Sequence, residues 1–303
     1  MISKILVSLC VLTMFIGGLV IVSAQQDEDV RGAFLSTRPK TTNNNAPARR
    51  RRPARNPAPA SNNSKNGNVS DAGKNVTTTN TGAANKNSNA ARPERIGLGY
   101  SVYLRDDNGR AIRVEPTREF HNGDRIRITL EPNIDGYVYI FHTEADGAPE
   151  MIYPDPRLEG AENWVEAHVP MEVPSTLGTD EKLRWFQFYG NAATEHLYIV
   201  VTRDPLPGVP TGDQLSDFCA TNKDKCPWHP GGDVWRVVAR DMLRSNINVV
   251  TDKEFGQAQS EKEQVATTRG LGLDQTAPQP SVIRINATTS EPILVTMLDL
   301  VHK

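Results

Sequence analysis

The stretch FHNGDRIRITLEPNIDGYVYIF, Phe120–Phe141, holds two apolar segments separated by turn chemistry. In the first, Ile126, Ile128 and Leu130 alternate with Arg125, Arg127 and Thr129. A period of two sends successive side chains to opposite faces of an extended chain, so this segment reads as a strand with one buried and one wetted face. The second, Tyr137-Val138-Tyr139-Ile140-Phe141, follows Pro132 and an Asp135-Gly136 turn and is apolar on both faces. Its aromatic and β-branched composition fits an interior strand. The two are expected to pair as the centre of an antiparallel sheet around which the other strands pack.

Upstream, Tyr100–Leu104 and Ala111–Val114 flank Asp107-Asn108-Gly109, a turn that tolerates positive φ and so marks a hairpin. Downstream, strands are expected at Met151–Tyr153, Trp164–Val169, Leu183–Tyr189 and His196–Thr202, with Gly or Pro between them. After Gly208 the pattern changes. Asp233–Leu243 has apolar residues at helical spacing and reads as a short amphipathic helix capped by its Asp, and a weaker helix is expected over about Asp252–Ala266. Val282–Ile285 and Ile293–Val301 read as closing strands. Short strands with little helix between them indicate a mostly β protein. An antiparallel β-sandwich, immunoglobulin-like or similar, with one or two short helices in the C-terminal part, is favoured over a partly closed barrel.

The run Phe120-His-Asn-Gly123-Asp124-Arg-Ile126-Arg-Ile128, then Asp135-Gly136-Tyr137-Val-Tyr139-Ile140-Phe141, Asp146-Gly147 and Ile152-Tyr153-Pro154, resembles a bacterial domain of unknown function, the family numbered 4384. The resemblance covers about Tyr100–Val201, and its motifs are structural turns and strands. It implies a β-rich module of exported or envelope-associated bacterial proteins, sometimes joined to peptidase or kinase domains. It carries over no catalytic residue and no cofactor.

Lys4 precedes an apolar run from about Ile5 to Val22, closed by Val22-Ser23-Ala24 and the polar Gln25-Gln26-Asp27. A positive start, an apolar middle and a small-x-small end match an export signal cleaved after Ala24. Retained, the same run is at the lower length limit for a membrane anchor. Either outcome places the bulk of the chain outside the cytoplasm, in the periplasm, at the envelope or secreted. Residues 25–95 are assigned to a linker: from about Arg38 to Arg95 the sequence is Asn-, Ala-, Pro- and Thr-rich with almost no large apolar side chain, a composition that cannot offset its conformational entropy. Within it, Arg49, Arg50, Arg51 and Arg52 form a basic cluster, read either as a solvated spacer or as a contact for an anionic polymer or lipid. No specific nucleic acid is implied. Residues 96–303 form the folded domain, with the family-like part at 100–204 and an extension at 205–303. The formal net charge of −2 conceals this basic tract against a more acidic remainder, so global charge selects no partner.

Of three cysteines, Cys10 lies in the apolar run, and Cys219 and Cys226 are close enough in sequence to bridge in an oxidising compartment. Neither a Gly-x-Ser-x-Gly elbow nor a papain-like Cys context is present, and no two of the six histidines stand at common zinc spacing. Glu144, Asp146, Glu150, Glu159 and Glu162 are acids on loops, and Trp164 and Trp185 belong to an aromatic set read either as core or as a binding platform. These readings converge on an exported, non-enzymatic β-sandwich interaction or accessory module of the bacterial cell envelope, its partner an envelope protein or polysaccharide. The alternatives are a carbohydrate- or peptide-binding module using exposed aromatics, and a hydrolase with loop carboxylates.

Overall fold

A computed structural model describes residues 25–40 and 95–303, apart from Asp146, 158–160, Thr176 and 178–179. The expected signal at 1–24 and the cluster Arg49–Arg52 lie outside the described residues. Among the described residues, thirteen strands form two sheets. Sheet A contains β1 (Gly97–Arg105), β2 (Ala111–Val114), β4 (Arg125–Pro132), β8 (Met171–Val173), β9 (Phe186–Gln187), β11 (Ile247–Thr251) and β12 (Val282–Asn286). Its main order is β11-β12-β1-β4-β8, with β2 on β1 and β9 on β4. Sheet B contains β3 (Glu119–Phe120), β5 (Gly136–Glu144), β6 (Glu150–Tyr153), β7 (Trp164–Val165), β10 (Ala193–Thr202) and β13 (Ile293–His302). Its main order is β3-β13-β10-β5-β6, with β7 on β5, and only β3 runs parallel to its neighbour.

The two segments expected to pair with each other do not. β4 pairs with β1 from Leu98–Pro132 to Leu104–Ile126, whereas β5 pairs with β10. The cause is local. Pro132 ends β4, and the next residues carry the chain from one sheet to the other. Asn133 braces that crossing by accepting the Gly97 N–H at 2.7 Å and donating to the Arg95 carbonyl at 3.1 Å. Gly136 is required where β5 begins, because a Cβ there would lie 2.2 Å from the Thr202 carbonyl oxygen. The segments therefore face each other across the core. Ile126, Ile128 and Leu130 meet Val138, Ile140, Leu197, Ile199 and Leu298 in a common buried cluster. The architecture is a β-sandwich.

Neither outer face is left to water. On sheet B, Tyr139, Phe141, Val200 and Val295 are covered by α2 (Asp213–Thr221) and α3 (Gly232–Arg244), through Leu215 and Val238 and the partly buried Val234, Trp235 and Met242. This explains why β5 is apolar on both sides. Cys219 at the end of α2 is joined to Cys226, Cα atoms 5.3 Å apart, in a disulfide that ties down the turn before α3. The helices depart from expectation in detail. α2 and β11 were not anticipated, the weaker helix lies later as α4 (Glu261–Arg269), and α3 starts on Gly231 without a side-chain cap while Asp233 pairs with Arg236 in its first turn. Of the expected strand Trp164–Val169 only Trp164–Val165 is extended, as β7, with β8 following in the other sheet, and Leu183–Tyr189 is a 3-10 turn at Glu181–Arg184 followed by β9.

Sheet A's outer face carries the larger surprise. The supposedly wetted side chains Arg127 and Thr129, with Glu131 beyond them, are 9, 8 and 3% exposed. They are covered by α4, by the 270–281 segment and by residues 25–40, which were expected to belong to the disordered linker. Residues 25–35 instead form a helix, α1, whose Val30 and Phe34 are buried against Val250, Ile283 and Ile285. Three residues past its end, Arg38 makes a forked ion pair with Glu131, Nε to Oε1 at 2.7 Å and Nη2 to Oε2 at 2.6 Å. His168 Nδ1 meets Oε1 of the same carboxylate at 2.8 Å, and its Nε2 lies 2.7 Å from the Thr37 hydroxyl. Burial alone would raise the Glu131 pKa, but the hydrogen bonds from His168 and Arg38 and their charges hold it below the ordinary carboxylate range. A charge can be kept in such a place because it is paired and fully hydrogen-bonded.

Three outcomes follow from these contacts. Arg38→Ala strands a buried carboxylate and costs about 3 kcal/mol by chemical denaturation, the low end of the usual range because His168 remains. Since the folded Glu131 pKa is depressed, its stabilising contribution is present above the unfolded carboxylate pKa and is lost as pH falls through the folded value. Stability against acid, compared between wild type and Glu131→Gln, shows that slope in the wild type alone. Deleting residues 290–303 removes β13, which pairs with β10 along its whole length, and abolishes the cooperative unfolding transition.

Candidate functional site

The strand period that sends Ile126 and Ile128 inward sends Arg127 outward, next to residues of β1, β2 and β8 that alternate in the same way. Two further charged groups form there. In the first, the capping box of α4 reaches the sheet. Glu263 Oε2 accepts from the Ser260 N–H and hydroxyl at 3.0 and 2.7 Å, while Oε1 accepts from Tyr103 Oη and Arg113 Nη2 at 3.0 and 2.7 Å. Burial, then the Glu263 charge, pushes the Tyr103 phenol well above its ordinary value, so it stays protonated as a donor. In the second, Glu172 Oε1 accepts from Gln259 Nε2 at 2.6 Å, and its Oε2 lies 3.5 Å from Arg127 Nη1. Arg127 also donates from Nε to the Arg184 carbonyl, and its guanidinium carbon stands 4.0 Å from the centre of the Trp185 ring.

This second group floors a cleft of about 460 Å³. The Arg105–Glu181 ion pair stands on one wall and Gln264 and Thr267 of α4 on another. The volume falls in the range of small-ligand sites. Guanidinium, carboxylate, amide and hydroxyl groups in one concavity can hydrogen-bond a ligand rich in oxyanions or hydroxyls. Burial pulls the Arg127 pKa down, against the opposing charge of Glu172 and with a smaller contribution from Arg184. The Thr267 and Thr268 hydroxyls donate to the Gln264 carbonyl, at 3.1 and 2.7 Å, an arrangement that caps a helix turn and does not activate a nucleophile.

At one end of the sandwich, His142 on β5 sits between two acids. Nδ1 is 3.0 Å from Glu150 and Nε2 is 2.6 Å from Glu195. Burial disfavours the imidazolium, but hydrogen bonds to both carboxylates outweigh it and raise the His142 pKa; the same contact lowers that of Glu150. His196 pairs separately with Asp299 at 2.7 Å. Among the described residues, no three histidines, cysteines or acids are arranged to hold a metal ion.

The residues singled out from sequence are thus scattered. Trp185 is 8% exposed and presents its face to Arg127, while Trp164 is half-buried and meets Tyr137 edge-on. Tyr189 is an exposed aromatic that does not line the cleft. Of the loop acids, Glu150 is committed to His142, Glu144 is exposed at the end of β5, and Asp146 and Glu159 lie outside the described residues. Arg127, Glu172 and Gln259, which build the cleft, were not identified as site residues. A lone Arg on a strand face looks solvated until the element covering it is known.

Residues 119–205 match a family described as a domain of unknown function (DUF4384). The chain matches no curated protein and no solved structure.

The raised His142 pKa fixes a sign for the pH dependence. Its contribution is fully present below the unfolded histidine value and is lost as pH rises through the folded one. The difference in melting temperature between wild type and His142→Gln is therefore largest in mildly acidic buffer and shrinks on the alkaline side. A difference that grows with pH contradicts the two-carboxylate clasp.

Proposed function

We propose that the chain acts outside the cytoplasm as a non-enzymatic interaction module of the bacterial envelope, with the polar cleft between α4 and the Glu181–Arg184 turn as its ligand-facing surface. The supporting observation is the cleft's own chemistry. Its charged groups are held by one another and by backbone, Arg127 by Glu172 and the Arg184 carbonyl and Arg105 by Glu181, in the manner of a recognition surface. The Cys219–Cys226 bridge agrees with a site of action in an oxidising compartment.

A second reading, carbohydrate or peptide binding, draws on Trp185 in the cleft wall. Its ring face is already taken by Arg127, so recognition rests on the surrounding amide, hydroxyl and guanidinium groups and not on stacking. The hydrolase reading draws on the loop acids, of which Glu150 is engaged by His142 and Glu144 is exposed at the end of β5.

The test is a thermal-shift and calorimetric screen of the purified chain against envelope glycan fragments, acidic peptides and polyphosphate, paired with a hydrolysis assay on the same compounds. A ligand that stabilises the wild type and loses at least tenfold in affinity on Gln264→Ala or Thr267→Val supports the cleft. Turnover abolished by a single acid substitution replaces this reading with the hydrolase. Reduction of the disulfide lowers stability by about 2 kcal/mol, the chain-entropy value for so short a loop, without altering ligand affinity.

A further inference from the structure

The outer face of sheet A is shaped around residues 25–40 to a degree that ordinary packing does not demand. β1 is bare where the Phe34 ring lies. A Cβ on Gly97 would stand 3.0 Å from Phe34 Cδ2, and one on Gly99 would stand 3.1 Å from Phe34 Cζ and 2.5 Å from Pro280 Cγ. Neither glycine has a positive φ, so their smallness serves the approach of the ring and proline and not a turn. Arg38 then enters a complete pocket. A guanidinium has five N–H donors, and here the two Glu131 oxygens and the carbonyls of Asp274, Ala277 and Pro278, at 3.4, 3.0 and 3.1 Å, supply an acceptor for each. His168 fixes the carboxylate from below and stacks edge-on against Phe34, ring centres 5.4 Å apart. The groove therefore reads an aliphatic, an aromatic and an arginine at steps of four: Val30, Phe34 and Arg38.

Host and guest are joined in the chain through residues 41–94. The covalent link enters docking only as an effective concentration, on the order of millimolar. A connection of this length spans at most roughly 180 Å, so it is long enough to reach a neighbouring molecule as well as its own domain.

We propose that this groove is a peptide-receptor site whose ligand is the 25–40 segment of this chain, accepted from a second copy as well as in cis, so that reciprocal docking makes a closed two-fold dimer. In dilute solution the chain's own segment fills the groove. Where copies are concentrated, or where a groove has lost its own segment, the exchanged form takes over. The inference is independent of the cleft and of its ligand.

The experiment uses the full chain carrying Phe34→Ala and Arg38→Ala, which weakens its own arm, and a fluorescent peptide of residues 25–40. The wild-type peptide binds this variant saturably with Kd below about 0.1 mM, as required for cis docking above nine in ten at millimolar effective concentration. The peptide bearing Arg38→Ala binds at least tenfold more weakly, and the wild-type chain takes up little peptide. Absence of saturable binding, or equal binding of both peptides, overturns the proposal. If the double variant does not fold, two differently tagged wild-type chains are mixed at 10 μM and at 1 mM and diluted into native mass spectrometry. Mixed dimers that grow with concentration and disappear with Arg38→Ala support exchange, and monomer at both concentrations overturns it.

Discussion

The structure depends on how one sheet disposes of its second face. Sheet A has an apolar inner side that any sandwich would bury, and an outer side on which Arg113, Arg127, Glu131 and Glu172 are placed by strict alternation. Left wet, these residues would need nothing. Covered, each requires a partner, because an unpaired charge in such a place costs several kcal/mol. The covering elements bring those partners: Arg38 for Glu131, Glu263 for Arg113, Gln259 for Glu172. The coverage and the ion pairs are thus one requirement met together. The cleft is the place where the cover stops short, leaving Arg127 and Glu172 at its floor.

Sheet B solves the same problem with apolar chemistry. Tyr137–Phe141 carries large side chains on both sides, and the helices laid over it supply valines, tryptophan and methionine. The contrast makes sheet B tolerant of volume-conserving changes, while the outer side of sheet A depends on hydrogen-bond geometry and punishes the loss of any single partner.

What could be read from sequence follows from the range over which each signal acts. Local periodicity and turn chemistry are carried by adjacent residues, so the strands at 97–105, 125–132, 136–144, 193–202, 282–286 and 293–302 and the β-sandwich were legible. Pairing between β4 and β5 was misread because two neighbouring strands joined by a short turn look the same whether they share a sheet or face across a core, and the deciding contacts, Asn133 to Arg95 and Gly97, are nonlocal. The docked arm was hidden because the polar, Asn-rich composition that begins just after it dominates any window containing it. Phe34 and Arg38 are two anchors among many polar residues. Arg127 was invisible as a site residue for a related reason: the alternation that places it is the signature of an exposed strand face, and nothing within ten residues announces α4.

The docking of residues 25–40 also orders events in time. This segment is made well before its seat is complete, because Asp274, Ala277, Pro278 and Pro280 finish it, and Asp274 follows Arg38 by 236 residues. Until then Val30 and Phe34 have no complete partner surface, and contacts of such sequence separation form late and slowly. The amphipathic arm is therefore left uncovered until the C-terminal part of its seat has been made, and its seating is the closing step that tells a finished molecule from one still being made.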